Sequence, residues 1–99
     1  MVDESDDVVR YLVVDGRRWR RQDPTLPEDV AARLRSELGR GRSEVGRLKK
    51  AGKEPAPARR RVDLAKHGLG ERGPAWWEQS AAERRERWES ALTALTDSP

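Results

Sequence analysis

The stretch Arg10–Arg21, R-Y-L-V-V-D-G-R-R-W-R-R, constrains this chain more than any other. Asp15-Gly16 separates two runs of extended-prone residues. A two-residue type I′ turn requires positive φ at both central positions, which this pair tolerates. With Asp15 and Gly16 at the turn the register follows: Val14 faces Arg17, Val13 faces Arg18, Leu12 faces Trp19, Tyr11 faces Arg20 and Arg10 faces Arg21. Side-chain alternation then places Val14, Leu12 and Trp19 on one face, and Val9, Tyr11 and Val13 with Arg18 and Arg20 on the other. A lone hairpin is marginal in water, so one face must lie against something else. The Leu12/Trp19 pair is expected to be buried against the protein's own helices. Tyr11, among arginine stems, is then left as a solvated surface or a partner site.

Downstream, D-P-T-L-P-E (23–28) reads as a loop feeding a helix of about residues 25–50, with Thr25 and Glu28 spaced as a capping box and Pro27 in the first turn. Val30, Leu34, Leu38, Gly41, Val45 and Leu48 recur at spacings of three and four and draw one apolar stripe. Gly39, Gly41 and Gly46 weaken that helix. They either let a second helix approach closely or mark a break near residues 39–41. Ala51–Pro57 reads as the connection. A second helix of about residues 58–68 follows, with Val62, Ala65 and Leu69 on its apolar side and an end at Gly68-Leu69-Gly70. Ser80 and Glu83 form another capping box, starting a C-terminal helix whose Trp88, Leu92 and Leu95 make a thin stripe.

The expected architecture is α+β and mostly helical: an N-terminal two-stranded hairpin (8–22) packed on an antiparallel helical hairpin, plus a C-terminal helix. Residues 1–7 carry Asp3, Glu4, Asp6 and Asp7 and no base, and read as a disordered acidic arm. Residues 8–78 form a single small domain, and residues 79–99 an amphipathic helix and short tail. With 34% hydrophobic and 39% charged residues, and neither Phe nor Ile, the core must be thin and built from Leu, Val, Ala and Trp. The absence of Cys excludes disulfides and thiolate metal sites and fits the reducing cytoplasm, the expected location. No long apolar run points to a signal peptide or a membrane span.

Three blocks together, R-Y-L-V-V-D-G-R-R-W-R (10–20), D-P-T-L-P-E (23–28) and G-E-R-G-P-A-W-W-E (70–78), resemble a family of small actinobacterial proteins, some of which carry an automatic label as Tol-type biopolymer transporters. The likeness spans roughly residues 10–78 and implies no activity for any residue. A transporter role conflicts with a chain in which no segment is built to cross a bilayer. The chain departs from the family pattern at Pro55 and Pro57 and in the tail beyond Gln79.

Catalytic constellations are missing from the pattern. His67 is the single histidine and sits near a helix end, where an imidazole interacts with exposed carbonyls. Gly68-x-Gly70-x-x-Gly73 spells a dinucleotide fingerprint but follows a helix rather than a strand, so its glycines read as helix termination and turning. Asp15 is explained by its turn, Glu28 and Glu83 by caps. No carboxylate pair stands in an apolar setting that would raise a pKa for acid–base work. The chain is therefore expected to be non-enzymatic and to need no cofactor or metal.

Two function classes remain. A protein-interaction or structural module, with a protein partner or self-association, is supported by the Tyr11 face, an open strand edge and the amphipathic tail with Trp88. The alternative is nucleic-acid binding through Arg17, Arg18, Arg20 and Arg21 on the hairpin and Arg59, Arg60 and Arg61 on the second helix. Alternation splits the hairpin arginines between faces, which weakens the second class. Arg10 opposite Arg21 calls for an anion, and the acidic arm is one source of it. Trp76 and Trp77 read as closing a Phe-free core rather than as a base-stacking platform.

Overall fold

In the computed structural model, which describes residues 4–97, Asp15 and Gly16 take φ of 51° and 78°. They join β1 (Tyr11–Val14) to β2 (Arg17–Arg20) in the register read from the sequence, with Leu12 opposite Trp19 and Tyr11 opposite Arg20. Four helices complete the described chain: α1 (Glu4–Arg10) before the hairpin, then α2 (Glu28–Lys50), α3 (Ala56–Leu69) and α4 (Ala81–Asp97), with a 3-10 turn at Trp76–Glu78 before α4. The architecture is α+β and mostly helical, as expected.

The core is a three-helix layer. Val30, Leu34 and Leu38 of α2, Ala65 and Leu69 of α3, and Ala91 and Leu95 of α4 are buried together, with Leu26, Val62, Leu64, Trp88 and Leu92 half-buried around them. Gly41 meets Val62 and Leu34 meets Gly68, so α2 and α3 run antiparallel. A Cβ on Gly68 would stand 2.8 Å from the Ala91 Cβ and 2.9 Å from Leu34 Cδ2. At this glycine α3 is in close contact with both α2 and α4, and small residues there replace the large side chains the composition lacks. Gly41 is a close approach of the same kind, and α2 runs unbroken through residues 39–41. At the end of α3, Gly70 with φ 85° places its N–H on the His67 carbonyl and the Glu71 N–H on that of Lys66, a Schellman closure.

Several expectations are corrected. The Leu12/Trp19 face is not buried: both residues are exposed, as is Val13 on the opposite face, and only Tyr11 and Arg20 at the base of the hairpin are half-buried. The hairpin is held at its base, where the Tyr11 ring meets Trp77 edge-on at 5.5 Å and Arg20 donates a 2.7 Å hydrogen bond to the Gly73 carbonyl while stacking over Trp77. Val8 and Val9, read as strand, belong to α1, and the acidic arm is helical from Glu4 onward; its first three residues lie outside the described ones, as do residues 98–99 of the tail. Thr25 and Glu28 do not form a capping box. Pro27 occupies the cap position of α2 without a side-chain bond, and Thr25 instead donates both its N–H (2.8 Å) and its hydroxyl (2.7 Å) to Asp23. By contrast, Ser80 and Glu83 exchange the two bonds of a capping box at the start of α4.

Asp23 ties these parts together. Its N–H donates to the Leu69 carbonyl at 2.8 Å, Arg84 reaches its Oδ1 at 3.3 Å, and Arg87 reaches its Oδ2 at 2.7 Å. The exit from β2, the end of α3 and the first turns of α4 are thus joined at one buried carboxylate. Burial pushes its pKa up, but hydrogen bonds from Arg87 and Thr25 outweigh that and hold it below the ordinary value. Next to it, Trp76 is buried and donates Nε1–H to the Arg21 carbonyl at 2.9 Å, fastening the hairpin's exit to the helical layer.

Candidate interaction surfaces

Two surfaces carry the chemistry that remains after folding. The first is the α1–β1–β2 unit. Every large apolar residue that stands well exposed among the described residues falls here: Val8, Val9, Leu12, Val13, Val14 and Trp19, at 42% to 65% exposure. These side chains are divided between α1 and the two faces of the hairpin, and exposed apolar residues concentrated on one unit of this kind are the usual mark of an interaction surface. Arg21 N–H bonds the Arg10 carbonyl at 2.8 Å, so hydrogen-bonded pairs alternate outward from there through Leu12/Trp19 and Val14/Arg17. The amide and carbonyl of Val13 consequently face away from β2. The open edge of β1 is Y-L-V-V, without charge, whereas β2 is R-R-W-R.

The hairpin arginines are occupied within the molecule. Arg17 lies over Trp19 at 4.7 Å, and Arg18 lies over Tyr11 at 3.9 Å and pairs with Asp7 at 3.7 Å. Arg20 is bound to Gly73 as described. Arg21 donates Nε–H to the Val8 and Tyr11 carbonyls at 2.9 and 3.1 Å. Among the described residues no carboxylate faces Arg21; its guanidinium is held by neutral carbonyls at the junction of α1 and β1, where the end of the helix is electronegative.

Arg59, Arg60 and Arg61 diverge around α3. Arg61 donates to the buried Glu37 carboxylate at 2.7 Å, and Arg60 is exposed. Arg59 turns into the second surface, a cleft of about 360 Å³ between α2 and α3 lined by Arg42, Val45, Arg59, Val62 and Arg72. Among the described residues neither Arg42 nor Arg59 has an ion-pair partner, while Arg72 pairs with Asp63 at 2.8 Å. Lys66, one turn past Val62, extends the positive charge: burial first, and then Arg72 and Arg42, push its pKa down. Its ammonium lies 5.6 Å from the centre of the Trp19 ring, so this cation is where α3 reaches the hairpin. Glu71 is the carboxylate of this neighbourhood. Burial raises its pKa against the pull of Lys66, Arg42 and Arg72, and its Oε2 is buried without a hydrogen-bond partner.

Sequence reasoning singled out Arg59 but missed Arg42, Lys66 and Arg72. Arg59, Val62 and Lys66 sit at helical spacing on one side of α3, a visible signal; Arg42 and Arg72 reach them only through tertiary packing. Trp88, named as a partner residue, is half-buried against the core cluster. His67 places Nδ1 2.8 Å from the Asp63 carbonyl and packs against Gly73, a structural setting. No group of three or more His, Cys, Asp or Glu among the described residues is placed to hold a metal, and no helix among them is long and apolar enough to cross a membrane.

Comparison with protein-family models, curated proteins and solved structures finds no match.

Proposed function

We propose that the chain is a non-catalytic protein-interaction module whose hairpin unit self-associates, β1 of one copy lying beside β1 of another. The observation that carries this reading is the concentration of exposed apolar side chains on residues 8–19, beside a strand edge that bears no charge. An uncovered edge of this composition tends to acquire a partner. Charge selects the occupant. Two β2 strands side by side would oppose arginine rows, while two β1 strands bring Tyr, Leu and Val together without like-charge contact. A two-fold axis through paired β1 strands would form a four-stranded sheet, and the symmetry closes the assembly at two copies. Such pairing also enlarges a thin core, a common route to stability in chains this small.

The test is the mass in solution. Sedimentation equilibrium of the native chain should show a concentration-dependent dimer. Leu12→Ser combined with Val13→Lys should give a monomer with unchanged helical circular dichroism. A native chain that stays monomeric at its solubility limit, or a double variant that dimerises as well as the native chain, removes this reading.

A further inference from the structure

We propose that the cleft between α2 and α3 binds the phosphoryl group of a small organic phosphate, with Arg42, Arg59 and Arg72 as its ligands and Val45 and Val62 as the apolar floor for the carbon portion.

Three observations support the assignment. The guanidinium groups come from three separate elements, the middle of α2, the start of α3 and the loop after Gly70, and line one cleft of about 360 Å³, within the size range of small-molecule sites. Neither Arg42 nor Arg59 forms an ion pair among the described residues, and the carboxylate that acts on Arg42 from nearby is the half-buried Glu71. Two cations left unmatched beside a third form a standing demand for an anion. Lys66, one turn along α3 from Val62, adds a fourth positive charge beside the cleft, and the carboxylates that act on it, Asp63 and Glu71, leave the balance positive.

Phosphate fits this arrangement better than carboxylate. A planar carboxylate is satisfied by one bidentate guanidinium, whereas a tetrahedral phosphoryl group presents several oxygens to arginines arriving from different directions. Val45 and Val62 would add little for inorganic phosphate but would cover an apolar portion of a larger ester. The site lies apart from the β1 edge and does not depend on the self-association reading.

The experiment is isothermal titration at low salt with inorganic phosphate, pyrophosphate and ATP, and with a short oligothymidylate as a separate arm. Amide chemical shifts locate the site. Pyrophosphate should bind and perturb residues around 42, 59, 62 and 72. Arg42→Gln with Arg59→Gln should weaken it by about tenfold or more, about 1.4 kcal/mol, while Arg85→Gln leaves it unchanged. Both substituted arginines are without ion-pair partners, so the double variant should fold, which circular dichroism verifies. ATP binding more tightly than pyrophosphate supports the apolar floor. The proposal is overturned if the double variant binds pyrophosphate as the native chain does, if the shifts map elsewhere, if pyrophosphate does not bind at all, or if the oligothymidylate binds more tightly than ATP.

Discussion

Arg87 of α4 donates a 2.7 Å hydrogen bond to Oδ2 of Asp23, a carboxylate whose side chain has no solvent exposure. Arg87 also donates to the Gly68 carbonyl and to Gln79, so its guanidinium is itself nearly buried and fully directed. The pair fastens the C-terminal helix to the loop that leaves the hairpin. Removing one partner of a buried pair strands the other, which costs more than the pair contributes.

Asp23→Asn should therefore destabilise the chain by about 3 kcal/mol, read from urea unfolding at neutral pH. Acid sensitivity provides a second readout. Because the folded carboxyl titrates below its unfolded value of 3.8, its contribution is fully present above that value and is lost as pH falls through the folded pKa. The native chain should lose stability below about pH 4, and Asp23→Asn should show a shallower acid loss. Equal acid slopes would contradict this role.

Glu71 should act in the opposite sense. Its carboxyl is raised above 4.5 by burial, so its contribution favours the fold below 4.5 and is lost as pH rises through the folded pKa. Glu71→Gln should flatten the stability profile on the alkaline side of 4.5 and make the chain more stable than native at neutral pH. A variant less stable than native at pH 7 would refute the assignment.

Two glycines of one helix should respond in opposite directions to alanine. At Gly39 a Cβ meets nothing within 4 Å, so Gly39→Ala should stabilise α2 by about 0.5–1 kcal/mol through reduced chain entropy. At Gly41 the Cβ would stand 2.8 Å from Val62 Cγ2, so Gly41→Ala should destabilise by about 1–3 kcal/mol through overpacking. Thermal unfolding of the two variants checks the contrast.

The tryptophan pair should separate in effect. Trp76→Ala removes a buried ring and the bond to the Arg21 carbonyl, and should cost about 3–5 kcal/mol of global stability. Trp77→Ala removes the surface on which Tyr11 and Arg20 rest, and should free the hairpin while the helices hold. Amide exchange should then rise in residues 11–20 with little change at Leu34, Ala65 and Leu69.

The sequence alone determined the elements that depend on neighbours along the chain. The Asp15-Gly16 turn and its register, the Ser80–Glu83 cap and the Gly70 end of α3 all follow from residues a few positions apart, and each stands where local chemistry puts it. The Thr25–Glu28 spacing failed because a buried carboxylate three-dimensionally surrounded by Arg84 and Arg87 recruited Thr25 instead. Tertiary structure alone decided which hairpin residues are anchored. Both faces of β1 are apolar, so alternation cannot rank them, and the anchoring of Tyr11 belongs to Trp77, more than fifty residues away. The same holds for the arginine cleft, whose lining comes from three elements that only the closeness of α2 and α3 at Gly41 brings together. Local backbone preference is written in short stretches of chain, whereas the point at which a hairpin is anchored and the charges a cleft collects depend on packing partners distant in sequence.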